Sequence, residues 1–144
     1  MTSVPPLSQD GVAARLLRAS RVIAVVGISD RPDRPSYGVA AYLQAHGYRV
    51  IPVNPSLTEV LGETCYPSLQ AIPEPFDLVD VFHRPAFVPE VVEDAIAAGA
   101  RSIWFQDGVV HPCAIERART AGLEVVVDDC TMRVHRRLRL GGSA

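Results

Sequence analysis

The feature that most constrains this chain is the run Val22-Ile23-Ala24-Val25-Val26, apolar throughout, mostly β-branched and stopped by Gly27. A strand that is apolar on both faces must be covered on both, which a parallel sheet between helix layers supplies. The same pattern recurs along the chain. A helical stretch over 36–46, with Val39, Ala40 and Leu43 on its inner stripe and Gly47 as its stop, leads into a strand over 49–53 closed by Asn54-Pro55. A loop holding Gly62, a short segment at Cys65-Tyr66 and a helical turn over 68–72 precede a buried strand over 77–82. Pro89 marks the first turn of a helix ending at Gly99, and a strand over 102–105 follows. Pro112 opens a helix stopped by Gly122, before a strand over 124–127 and an arginine-rich helix over 131–140.

Strands alternating with helices at this spacing predict βαβ units. The expected fold is α/β, a Rossmann-like three-layer α/β/α arrangement with a mainly parallel sheet. Residues 1–20 are expected to form a loose leader over 1–7 and a helix capped by Ser8, with the main body over 21–140. No linker or repeat divides the 144 residues, so one domain is expected.

Composition excludes several functions. The net charge is −2, with neither a basic nor an acidic tail, which argues against nucleic acid as a partner. All 14 basic residues are arginine, so lysine chemistry is excluded and anions must be held by guanidinium groups or backbone amides. Cys65, Cys113 and Cys130 are scattered, with no C-x-x-C pair, so neither a metal site nor a disulfide framework is expected. No apolar run is long enough for a membrane span and the N-terminus has no signal-peptide pattern, so the expected compartment is the cytoplasm.

In open parallel sheets, ligands bind beyond the carboxyl ends of the strands, where strand order reverses. That rule selects Gly27-Ile28-Ser29-Asp30-Arg31, Asn54-Pro55, Phe82-His83-Arg84-Pro85, Gln106-Asp107-Gly108 and Asp128-Asp129-Cys130. The first is the most informative, since a helix N-terminus favours an anion. Ser29 and Ser36 offer hydroxyls to a phosphate, and Arg31 and Arg34 offer charge-assisted hydrogen bonds. The G-x-G-x-x-G fingerprint is absent, and Asn54 stands where a ribose-binding acid is expected, which disfavours NAD. His83 is read as a wall residue rather than a general base, because no motif pairs it with a carboxylate. In Asp128-Asp129, one carboxylate is assigned to helix capping. Cys130 is read as a buried filler, Trp104 as sheet core, and His111 as a helix entry.

Taken in order, Val25-Val26-Gly27-Ile28-Ser29 with Arg34 and Ser36, Gly47-Tyr48, Pro52-Val53-Asn54-Pro55, Gly62 and Cys65-Tyr66-Pro67-Ser68-Leu69 form a recognisable series. Asp80-Val81-Phe82 with Arg84-Pro85, Trp104-Phe105-Gln106 with Gly108-Val109, and Cys130 complete it. From about Arg21 to Leu138 the sequence resembles the small stand-alone CoA-binding proteins, similar in fold to the CoA-binding domain of the succinyl-CoA synthetase α subunit. The resemblance implies coenzyme A as cofactor, its pyrophosphate over Gly27, Ile28 and Ser29 and the helix start at Arg34, Ser36 and Tyr37. It implies the adenosine end between the Val53-Asn54-Pro55 and Phe82-His83-Arg84 loops, and Gln106 approaching the pantetheine arm. The chain departs from the family pattern with His83 for arginine, no counterpart of the asparagine that the family commonly shows near the position of His111, Asp129 for arginine and Val134 for glutamate. The phosphohistidine segment and nucleotide-grasp domain of a ligase are not found in these residues, so the expected function is binding of CoA or an acyl-CoA rather than catalysis. The alternative is an NAD(P)-binding or thioester-handling enzyme using His83 or Cys130. A homodimer or another protein partner is left open.

Overall fold

The structure is a computed structural model, and it describes residues 8–141. The leader expected over 1–7 lies outside them.

Helix α1 (Gln9–Ala19) begins at Ser8, whose hydroxyl accepts from the Gly11 amide at 3.2 Å. Strand β1 (Val22–Val26) then leads to α2 (Pro35–Ala45) and β2 (Arg49–Val53). A small hairpin follows, β3 (Glu59–Val60) and β4 (Glu63–Thr64). Then come β5 (Leu78–Val81), a 3₁₀ turn (Pro85–Phe87), α3 (Val88–Ala97), β6 (Ser102–Phe105), α4 (Pro112–Thr120), β7 (Glu124–Val127) and α5 (Thr131–Gly141).

The main sheet is parallel in every pairing, in the order β2-β1-β5-β6-β7. Alternate residues of each strand face opposite helix layers. Ile23 and Val25 of β1, Leu78 of β5, Trp104 of β6 and Val126 of β7 pack with α1, α2 and α5. Ala24 and Val26, Val79 and Val81, and Ile103 and Phe105 pack with α3 and α4. Three layers result, as the apolar runs predict. Burying each of the Val, Leu, Ile and Phe side chains among them contributes about 1.5–3 kcal/mol. Pro52 sits in β2, the edge strand, where the ladder tolerates a residue without an N–H.

Two local features differ from expectation. The loop around Gly62 is a two-residue hairpin turn, with Leu61 at φ 55° and Gly62 at φ 76°. Both central residues have positive φ, the geometry that matches strand twist, although leucine is an unusual occupant. Asp129 does not cap α5: it accepts from the adjacent Cys130 N–H at 2.8 Å and pairs with Arg133, while Asp128 accepts from the Gly108 N–H. The Thr131 N–H at the helix start is taken instead by Gln106 Oε1 at 3.1 Å. The readings of His111 and Trp104 hold. His111 Nδ1 caps α4 by accepting from Ala114 N–H at 3.1 Å, and Trp104 is fully buried, donating to Asp129 O.

Candidate functional site

After β1 the chain crosses to β2 on one side and returns through β5 on the other, so strand order reverses between β1 and β5. A cleft of about 1350 Å³ opens there, at the carboxyl ends of the strands. Two smaller hollows, of about 470 and 550 Å³, lie at the opposite ends of the strands.

Gly27 sits at the reversal with φ 83°. Its N–H donates to Val53 O, and Phe82 N–H donates to Val26 O, both at 2.9 Å. The loop beyond it is tied down from two directions. Ser29 N–H donates to Ser36 Oγ at 2.9 Å, and Asn54 Nδ2 donates to Ile28 O at 2.8 Å. Asn54 Oδ1 in turn accepts from Ser56 N–H at 2.8 Å. Asn54 therefore clamps the first loop to the second, and both ends of its amide are engaged. Asn54→Ala leaves two backbone groups without that partner, and a stability loss of about 1–3 kcal/mol is expected in chemical denaturation.

Pro35 occupies the first turn of α2, no side chain caps its N-terminus, and its first turn holds no acidic residue. Tyr37 N–H donates to Arg34 O at 3.1 Å and Pro35 has no N–H, so the Ser36 amide and the dipole are what this end offers an anion. The Ser36 oxygen serves the loop, so the hydroxyl proton is what that side chain can offer a ligand.

Arginines complete the cleft. Arg34, Arg84 and Arg136 line it and have no carboxylate partner among the described residues. Arg136 lies 5.1 Å from the centre of the Tyr42 ring, which holds it over the cleft by a cation–π contact. Arg133 also lines the cleft, but it pairs with Asp107 and Asp129, both at 2.8 Å, and these bonds raise its pKa. Two acids face the same space: Asp107, already neutralised by Arg133, and Asp30. Val39, Leu57, Phe82 and Met132 add apolar surface to the lining.

Of the residues singled out from sequence, Gly27, Ile28, Ser29, Arg34, Ser36, Asn54, Phe82, His83, Arg84 and Gln106 meet at this cleft. Tyr37, Val53 and Pro55 do not line it: Val53 is buried beneath, and Tyr37 packs against the core behind α2. Burial lowers the His83 pKa, against the weaker opposing pull of Glu90. Arg136, Tyr42 and Met132 also line the cleft and are not singled out by the sequence pattern. The available signal was that α5 starts directly after a strand end, which places its first turns at the same sheet edge.

A family model described as a CoA binding domain matches residues 21–136. The chain belongs to this CoA-binding domain family. The uncharacterised protein YneT of Bacillus subtilis is 41% identical over 120 residues, covering 83% of this chain and 89% of YneT. A hypothetical protein from Pyrococcus horikoshii OT3 has a solved structure similar to this one, with TM-score 0.88 and 42% identity over 96% of this chain and 99% of that one. The ADP-forming acetate–CoA ligase I of Archaeoglobus fulgidus is 28% identical over 120 residues, but the match covers only 18% of that ligase. The chain thus shares the CoA-binding domain with a multidomain ligase, and its dimensions with small stand-alone members. Among the described residues, no helix is long and apolar enough to cross a membrane.

Proposed function

We propose that the protein binds coenzyme A or an acyl-CoA in the cleft at Gly27, as a binding module rather than a complete catalyst. The observation that carries this reading is the coincidence of three unpaired guanidinium groups with an uncapped helix N-terminus in a long groove. CoA carries a pyrophosphate, a further phosphate and an extended arm, which match that combination of cationic and apolar surface. The pyrophosphate is assigned to the Gly27–Ser29 turn and the start of α2, and the arm to the side of Gln106. The alternative, an enzyme built on His83 or Cys130, has less to support it: Cys130 is 6% exposed, and among the described residues no carboxylate is ion-paired with His83 to activate it.

Native mass spectrometry of the purified protein, followed by calorimetric titration with CoA, tests the reading. A co-purifying CoA or acyl-CoA mass, or saturable heat with a one-to-one stoichiometry, is the expected result. An empty protein that gives neither heat nor a thermal shift with millimolar CoA, on the order of the weakest useful affinity, sinks it.

A further inference from the structure

Beneath the cleft lies a buried acid that phosphate recognition does not use. Asp80 is on β5, aligned with Val25 of β1 on one side and Trp104 of β6 on the other, and it is 0% exposed. Its Oδ2 is 3.1 Å from Thr131 Oγ1 at the start of α5, and its Oδ1 has no hydrogen-bond partner. Thr131 Oγ1 is also 3.1 Å from Gln106 Oε1, which accepts the Thr131 N–H as well.

The hydrogens can be counted. The Thr131 hydroxyl has one hydrogen and stands between two acceptor oxygens. With Asp80 ionised, one of the two contacts is oxygen against oxygen in the core. A proton on Asp80 resolves the conflict: Asp80 donates to Thr131, and Thr131 donates to Gln106. Burial acts in the same direction, pushing the Asp80 pKa up to about 8, with the Thr131 hydrogen bond opposing it. The far end of the chain is determined too. Because Oε1 of Gln106 takes the Thr131 N–H, its carboxamide nitrogen is the atom left for the cleft that Gln106 lines.

We propose that Asp80 is a positioning residue kept as the uncharged acid, and that the one-way chain from Asp80 through Thr131 makes Gln106 an N–H donor to an uncharged carbonyl on the ligand. An amide in the pantetheine arm is such a carbonyl, and in that respect the inference rests on the CoA reading; the protonation of Asp80 does not. A charged carboxylate in the core below the cleft also repels a polyanionic ligand, so a neutral Asp80 favours binding. Titratable groups on the surrounding elements are Tyr37 and Tyr42 of α2, Cys130 ahead of α5, Arg133, His135, Arg136, Arg137 and Arg139 of α5, and His83, Asp107 and Asp129 beyond β5, β6 and β7. None of them is a cause of the Asp80 shift, and Arg133 is committed to Asp107 and Asp129.

Unfolded, Asp80 ionises near pH 4, roughly the free aspartate value. Folding therefore takes up a proton between about pH 4 and 8, so this group's contribution to stability is full below that window and is lost as pH rises through it. Carbon-13 NMR of aspartate-labelled protein, with Asp80→Asn assigning the resonance, reads the titration directly. The expected results are a carboxyl that titrates near 8 and a wild-type unfolding midpoint that falls relative to Asp80→Asn as pH rises from 5 to 8. In calorimetry, Gln106→Glu puts an acceptor where the donor stood. It is expected to lose about tenfold more affinity for CoA than for the arm-less adenosine bisphosphate fragment, the worth of one hydrogen bond. If Asp80 titrates near the free value, or Gln106→Glu weakens both ligands equally or neither, the inference is overturned. A wild-type protein that ignores CoA while Asp80 titrates near 8 leaves the neutral acid standing and defeats the CoA reading instead.

Discussion

Gly27→Ala is expected to destabilise the fold by about 2–4 kcal/mol and to remove CoA binding, a larger effect than a methyl group added at Gly38, Gly47, Gly62, Gly99, Gly108 or Gly122, where a Cβ meets nothing within 4 Å. A Cβ on Gly27 falls 2.7 Å from Phe82 O, 3.0 Å from Phe82 C and 3.1 Å from His83 Cδ2. The first two are backbone atoms, and they are not free to retreat, since Phe82 N–H is bonded to Val26 O at 2.9 Å. Gly27 is held on its other side by the bond from its N–H to Val53 O. Relief therefore requires β1 and β5 to part at the point where the cleft begins. Conformational strain adds to the clash, because φ is 83°.

The two contributions can be separated. Gly122, just past α4, has φ 95° and nothing within 4 Å of a built Cβ. Gly122→Ala is expected to cost only the positive-φ penalty, about 1 kcal/mol. Urea denaturation of both variants, with CoA calorimetry on each, reads the difference. Equal losses in the two, or a Gly27→Ala protein that binds CoA like wild type, would mean that close approach of β1 to β5 is not what Gly27 provides.

That close approach illustrates what was legible in the sequence. Arg49–Val53, Ser102–Phe105 and Glu124–Val127 emerge residue for residue, because short runs rich in β-branched or aromatic residues, each opening two or three residues after a glycine, leave little room for another reading. The ends of those strands, and so the neighbourhood of the cleft, follow from the parallel topology alone. The β3–β4 hairpin escaped because two-residue strands carry no periodicity, and a leucine at positive φ runs against the turn signature. Asp80 escaped for a different reason. In a strand covered on both faces every neighbour is apolar, so local pattern does not say that its partner is Thr131, 51 residues away. The same applies to Ser36 and Asn54. Their residue types suggested ligand contacts, whereas in the fold their polar atoms first hold the loops that frame the cleft.

The arginines yield the other large effect, now in affinity rather than stability. Arg34→Ala, Arg84→Ala and Arg136→Ala are each expected to weaken CoA binding by about 10- to 100-fold, the worth of a charge-assisted hydrogen bond of about 1.5–3 kcal/mol. Each side chain is exposed and lacks a carboxylate partner among the described residues, so its removal leaves no acid uncompensated and the fold should barely notice. Arg136 is expected to lie at the upper end, because its stacking on Tyr42 holds the guanidinium in place before the ligand arrives. Arg117 is a suitable control: it pairs with Glu93 at 2.9 Å and lies outside the cleft, so Arg117→Ala should bind CoA like wild type. Raising the salt concentration discriminates further. Ion screening weakens wild-type binding to exposed guanidinium groups, and each cleft variant should show a shallower salt dependence than wild type. Three cleft variants with wild-type affinity and an unchanged salt slope would mean that these guanidinium groups do not hold the phosphates, and the Ser36 amide and the dipole at the start of α2 would have to do so without them.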